Sequence, residues 1–326
     1  MTTAIHPIPN RINLVLCLAL PVVCAGALHQ ASHATTGWQL ALWAVLFGYA
    51  NNTVFSLLHE AVHGILFSHR RWNDGMGSWL ACWFPTAFGM QRAFHLAHHR
   101  HNRTDGEFFD GFYPGDHLLL KRLQWYGIIT GVYWLHNPLA CLLWLGCPWL
   151  LRRPGLRDAT RQQVRQHGAA HMLAALERLD PWRSRAEVLL MVLVQAALWW
   201  SLDLTLIGWA ACYGAFAVLW GSLQYADHAF SPRSIRDGAW NLRVSLPARW
   251  IFLNYHHHLA HHQHPTLPWL HLGRMIDPAV PRPSFWRIYL RMWLGPQPAR
   301  QPPPERDAEL ERAVDAPFRP PGDDAR

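Results

Sequence analysis

Apolar residues run almost unbroken from 12 to 28, from 38 to 58, from 125 to 151 and from 188 to 223, with polar connectors between them. A membrane span needs roughly 20 such residues, so each run is read first as a crossing. Asn13 is the one clear interruption of the first run, and Gln39 with a few small polar residues those of the second. Ser201, Asp203 and Thr205 break the last run into two short spans joined by a tight turn. His136, Asn137 and Pro138 interrupt the third at its centre. That run is expected to dip into the membrane and return, turning at Asn137 and Pro138. The stretch from 75 to 90 is apolar but too short to cross and reads as a re-entrant or interfacial piece. A segment from 284 to 294 places Phe285, Ile288, Tyr289 and Met292 near one helical face. It suits a helix on the membrane surface or one in the core of a cap.

The pattern predicts an all-α integral membrane protein with about four transmembrane helices. Re-entrant or interfacial segments and a cytoplasmic helical cap would complete it. Composition agrees: 51% of residues are hydrophobic and only 15% charged, against about 25% charged in an ordinary soluble domain. The mean hydropathy of −0.04 averages these runs with polar connectors. The loops near residues 29–37 and 203 carry no Lys or Arg, whereas Arg70, Arg71, Arg92, Arg100, Arg103, Lys121 and Arg122 lie between 60 and 124. The positive-inside bias therefore puts the latter segments, both termini and any site they carry on the cytoplasmic side, and a bacterial inner membrane is the expected location. The net charge of +8 follows from that topology, and no nucleic-acid partner is expected. The first run lacks a convincing cleavage site and is read as a retained helix. Residues 1–295 are expected to form one integral-membrane domain, and 296–326, rich in Pro and Arg, a disordered tail. The six cysteines (Cys17, Cys24, Cys82, Cys141, Cys147, Cys212) lie in apolar runs without a CxxC pair, as packed thiols do.

Twenty-two histidines are present, and many are clustered. HEAVH supplies His59 and His63, HLAHH supplies His95, His98 and His99, and a second HLAHH supplies His258, His261 and His262. Spacings of three and four put neighbouring imidazoles on one side of a helix, about a turn apart. Neutral imidazole is the commonest metal ligand and suits iron, zinc and copper. HEAVH alone also matches the HExxH pattern of zinc proteases, in which Glu60 would be the general base. Such an enzyme needs two histidines, that glutamate and one more ligand. It leaves six further clustered histidines without a task. Eight or nine nitrogen donors are too many for one ion and suit two.

The three boxes, HxxxH, HxxHH and HxxHH in that order, resemble those of the membrane-bound fatty acid desaturase and hydroxylase superfamily. The resemblance covers roughly residues 38 to 290. It implies a non-haem diiron centre at the cytoplasmic end of the spans, with O2 as co-substrate and no catalytic residue apart from the ligands. It also implies a ninth ligand from QYADHAF, which is His228, with Asp227 beside it as acceptor of an imidazole N–H. Asn254 matches a family position that approaches the metals. Glu60 is then expected to orient an imidazole. His101, His256, His257, His264 and His271 fall outside the pattern and are read as surface or supporting residues. The acidic residues of NRTDGEFFD, 102 to 110, could orient ligands or cap a helix.

By the same resemblance, the reaction is O2-dependent desaturation of a fatty acyl chain carried on lipid, coenzyme A or acyl carrier protein, with triple-bond formation included. The alternatives are a diiron hydroxylase or ketolase of alkanes, carotenoids or lipids, an intramembrane zinc protease, and a metal-binding transporter. The chain has neither a GxGxxG fingerprint nor a rubredoxin-like CxxC module, so a separate ferredoxin, rubredoxin or cytochrome is expected to donate electrons.

Overall fold

A computed structural model describes residues 6–151 and 169–310. Thirteen helices, two two-residue strands and three short 3-10 turns are found among the described residues. In chain order the helices are α1 (Asn10–Ser32), α2 (Gly37–Val62), α3 (Arg70–Trp83), α4 (Phe88–His101), α5 (Leu118–Ile129), α6 (His136–Gly146) and α7 (Pro148–Leu151). They continue with α8 (Ala169–Leu176), α9 (Pro181–Ser201), α10 (Leu206–Ala226), α11 (Leu246–Ile251), α12 (His258–Gln263) and α13 (Phe285–Met292).

Three of these, α1, α2 and α10, are long and apolar enough to cross a membrane, and α5 with α6 makes a fourth candidate as a bent pair. Local chemistry sets where they begin. Thr36 and Gln39 form a reciprocal capping box that starts α2. The Thr205 hydroxyl accepts from Gly208 N–H at the start of α10, and Asp180 caps α9, with Pro181 in its first turn. The last apolar run does form two helices with a turn at 202–205, as its polar interruptions imply. Only α10 is a full-length candidate, because α9 carries Arg183, Arg185 and Glu187 in its first two turns.

The helices α1, α2 and α10 pack on one another around a continuous apolar core that includes Cys17, Leu28, Phe47, Leu57 and Phe216. Ser32 meets Thr205, and the His29 ring bonds the Leu202 carbonyl, so both short hairpins lie at one end of the bundle. The histidine boxes lie at the other. Asn10 at the start of α1 bonds Ser68 beside the first box, placing the described N-terminal residues at that end as well.

Two expectations need correction. The third apolar run does not turn at Asn137 and Pro138. Its axis bends by 87° between α5 and the segment that leads into α6, at Gly131, which has φ +81. Pro138 sits in the first turn of α6, where a missing N–H costs nothing. Gly131 follows the last turn of α5 in the left-handed conformation that ends many helices. A Cβ there would collide with the backbone of Ala217 and Val218 on α10. The stretch beyond 295 also begins differently from a disordered tail. Gln297–Pro298 pairs in parallel with Gly111–Phe112, and Arg236 holds Asp307 at 3.1 Å and Glu309 at 3.3 Å. Backbone pairing and these ions fix the stretch to Leu310; residues 311–326 lie outside the described ones. In α13, Ile288 and Met292 are buried as the apolar face requires, while Trp286 and Leu290 point outward.

Gly131→Ala should destabilise the fold, by about 1–2 kcal/mol from the left-handed backbone alone and further through the clash with α10. Gly127→Ala, whose Cβ would meet open space, is the matched control. Thermal unfolding of the two variants in detergent checks this: only Gly131→Ala should melt below wild type.

Candidate metal centre

The first box ends a span. His59 lies in the last turn of α2, and His63 caps that helix. The second box occupies the last two turns of α4, and the third forms α12. Successive residues on a helix are rotated by about 100°, so the two adjacent histidines of an HxxHH box cannot serve one point equally. The structure uses this. His95 and His99, four apart, face one point while His98 faces another. In the third box the roles exchange: His258 and His262 face the second point and His261 the first.

Two groups result. His59, His63, His95, His99 and His261 form one, and His98, His228, His258 and His262 the other; the ligand atoms within each group lie within 4.8 Å of one another. The nine histidines predicted from the sequence are thus the nine brought together. Among the described residues no carboxylate belongs to either group.

Several observations fit metal ions at these points. Around the first, Nε2 of His95 lies 2.8 Å from Nε2 of His63 and 3.0 Å from Nε2 of His99, which is 3.0 Å from Nε2 of His261. Two nitrogens about 2.1 Å from one ion at right angles are themselves about 3 Å apart. A neutral imidazole carries one N–H, and His99 cannot satisfy several such neighbours by hydrogen bonding alone. In addition, Nε2 of His59 and both ring nitrogens of His262 are buried without a hydrogen-bond partner. Burial first, and neighbouring imidazoles after it, hold His99, His228 and His262 well below the usual imidazole range, which favours the neutral, ligating form.

Supporting groups fix the rings. His98 shares its Nδ1 with Glu107 at 2.6 Å, and His228 Nδ1 donates to the Gly238 carbonyl at 2.9 Å. Both leave Nε2 for the shared point. Of the acidic residues after the second box, Glu107 therefore orients a ligand, while Asp110 pairs with buried Arg103 at 2.6 Å and Asp105 with Arg233 at 2.9 Å. Arg103 also donates to the Ser231 carbonyl, and Asn102 to those of Ile235 and Gly238. The end of α4 is so tied to the segment carrying His228. Asn241 accepts from Ala260 N–H at the start of α12. The Gly238 carbonyl and Asn241 have no signature in the sequence, since the first acts through its backbone and the second through a local turn.

The expected supporting residues fare unequally. Asp227 is fully buried, and its carboxylate lies 3.5 Å from Nδ1 of His258 and 3.9 Å from Nε2 of His228. Its nearer neighbour is His258, not the adjacent histidine. Glu60 does not meet an imidazole: it accepts the backbone N–H of Trp269 at 2.9 Å. It stands one residue after His59, about 100° round the helix from that ligand. Asn254 has φ +59, and its amide is engaged by Arg249 and by the Trp269 carbonyl. It braces the loop before the third box. His256, His257 and His271 are buried, not on the surface. His271 bonds the Pro7 carbonyl.

Residues 36–282 match the family model for fatty acid desaturases. The chain belongs to the fatty acid desaturase family. A comparison with curated proteins finds no match. The family segment contains all nine histidines and α2 to α12, while α1 and α13 lie outside it.

His261→Ala should deplete the first metal point and His98→Ala the second, each lowering bound metal while the chain still inserts. Elemental analysis of purified protein measures this, and wild-type metal content in either variant would contradict the assignment. Glu107→Gln should weaken metal retention by roughly 10- to 100-fold, as loss of an orienting partner does.

Proposed function

We propose that this member of the family is a diiron enzyme that inserts a double bond into a fatty acyl chain using O2. The observation that carries the reading is the pair of all-histidine groups at the end of the candidate spans, in a chain of this family. Two bound irons would supply the reduction of O2 with two external electrons and two protons, converting one CH2–CH2 pair to an alkene and giving two waters. The protein's share is positioning. Glu107 and Gly238 hold His98 and His228 in their ligating orientation, and the buried Arg103–Asp110 pair fixes the loop that delivers them.

An apolar wall leads from the histidines into the spans. His59 packs edge-on against Tyr255 at 4.9 Å, and Phe55 continues to Phe84 at 4.9 Å and Trp220 at 5.7 Å. Trp134 and Tyr213 stack beyond at 5.4 Å. Such a column suits an acyl chain entering from the bilayer. The carrier is then a lipid, coenzyme A or acyl carrier protein, and electrons come from a separate ferredoxin, rubredoxin or cytochrome. Described cysteines form no metal-binding pair. The arginine-poor hairpins at the far end of the bundle support a cytoplasmic histidine end.

The zinc-protease reading of HEAVH loses its base, because the Glu60 carboxylate is occupied by Trp269 N–H, and loses its coordination, because five imidazoles share that point. Hydroxylation and ketone formation use the same kind of centre and differ in product.

Purified protein should contain two irons per chain. With a reductase and ferredoxin, membranes bearing it should yield fatty acids lighter by two hydrogens. Products heavier by one oxygen would replace desaturation by hydroxylation, and a single zinc would overturn the diiron reading. Glu60→Gln should remain active, since an amide oxygen can still accept from Trp269 N–H.

A further inference from the structure

Behind the third box lies a cavity of about 360 Å³, lined by Arg243, Arg249, Arg282, His256 and His257 with Val244, Gly273 and Ile276. That volume is within the range of small-ligand sites. Its walls bring three guanidinium groups together without a carboxylate: among the described residues none of the three arginines forms an ion pair. Two further features mark it as built for a ligand. His256 and His257 are 2% and 3% exposed, and the Nδ1 of each, with Nε of Arg282, has no hydrogen-bond partner. Like charges crowded beside an unbonded guanidinium N–H and two imidazole nitrogens, either of which can carry its ring's N–H, are unfavourable until an anion joins them. Burial, with Arg243 and Arg249 alongside, accordingly holds the Arg282 guanidinium below its usual range.

The surroundings indicate which anion. The carbonyls of Ile251 and Phe252, just after Arg249, accept from Thr53 and Ser56 in the last turns of the candidate span α2. The cavity wall is therefore fastened to the end of a span. On α11, which carries Arg249, Leu246 and Trp250 are exposed. On α13, three residues beyond Arg282, Trp286 and Leu290 are exposed too. Arg243 and Pro283 join these two segments through backbone hydrogen bonds. Outward Trp and Leu beside Arg is the arrangement of a membrane–water interface.

We propose that this cavity holds the phosphate headgroup of an anionic phospholipid, seated by Arg243, Arg249 and Arg282 while its acyl chains lie along the apolar faces of α11 and α13. The site is separate from the metal points and does not depend on which metal or reaction they serve. Guanidinium groups pair with phosphate oxygens two at a time, which gives both affinity and orientation. Arg249 is held by Asn254 at 2.9 Å and Arg282 more loosely by the Leu242 carbonyl at 3.5 Å, which leaves Arg243 and Arg282 the better placed to turn towards a phosphate.

Native mass spectrometry of the purified full chain tests this, with phosphatidylglycerol and phosphatidylcholine of equal chain length added after detergent stripping. Wild type should retain one phosphatidylglycerol and release phosphatidylcholine. Arg243→Gln with Arg282→Gln should lose affinity roughly tenfold or more, since each removes a charge-assisted contact. Arg122→Gln, on α5 and away from the cavity, should retain the lipid as wild type does. Unchanged metal content and melting temperature in the double variant establish that it is folded. Equal retention by the double variant, or equal retention of the two lipids by wild type, overturns the proposal. So does capture of soluble coenzyme A through these arginines by a protein that releases phosphatidylglycerol, which would make the occupant a soluble phosphate carrier.

Discussion

A buried imidazole needs a partner for each ring nitrogen, and this fold buries many of them around two points. Each unpaired buried nitrogen costs roughly 1–3 kcal/mol, so the arrangement is tolerable only if something is shared at those points or the surrounding protein holds the rings rigidly. Much of the region outside the spans serves that constraint. Glu107 and the Gly238 carbonyl each take one nitrogen. Asn102 and Arg103 tie the second box to the His228 segment, and Asn241 fixes the start of the third. The spans supply the rigid end on which His59 and His63 sit. A loop-borne site of the same composition would let the rings turn away from one another.

The division of labour within each box follows from helix geometry. Four residues return nearly to the starting face, whereas three fall short by about 60°. An HxxHH segment therefore offers a pair to one point and a single ring to another. Two such segments used in opposite senses give each point three nitrogens, and the first box and His228 complete them. Adjacent centres built this way are coupled mechanically, since rotating either helix disturbs both.

The spans and the grouping of the three boxes were legible because both rest on local periodicity: long apolar runs, and spacings of three and four; His228 was reached through the family resemblance, not through spacing. What lies beyond local pattern was not. The bend at Gly131 depends on the backbone of α10 passing close by, whereas Pro138, the more conspicuous breaker, is harmless in a first helical turn. Glu60 reads as a base or an orienting group from its motif, yet its partner is the N–H of a residue 209 positions away. Asn254 is likewise claimed by Arg249 and Trp269. The stretch after residue 295 has the composition of a disordered tail, but a strand pair and two acidic contacts to Arg236 suffice to dock it as far as Leu310. Composition reports average tendency and cannot see a specific partner.

Trp269 joins three distant parts of the chain. Its backbone N–H is held by Glu60, its carbonyl by Asn254, and its indole N–H by Asn13 of α1. Asn13 leaves the ribosome 256 residues before its partner. During biosynthesis the first helix must therefore enter the bilayer with a polar amide whose eventual bond does not yet exist. The order of synthesis has a second effect. The first box stands inserted long before the third is made, so neither metal point can be complete until the third box has emerged. Any metal would therefore be taken up late, at about the stage when the segment around Trp269 closes over the end of the bundle.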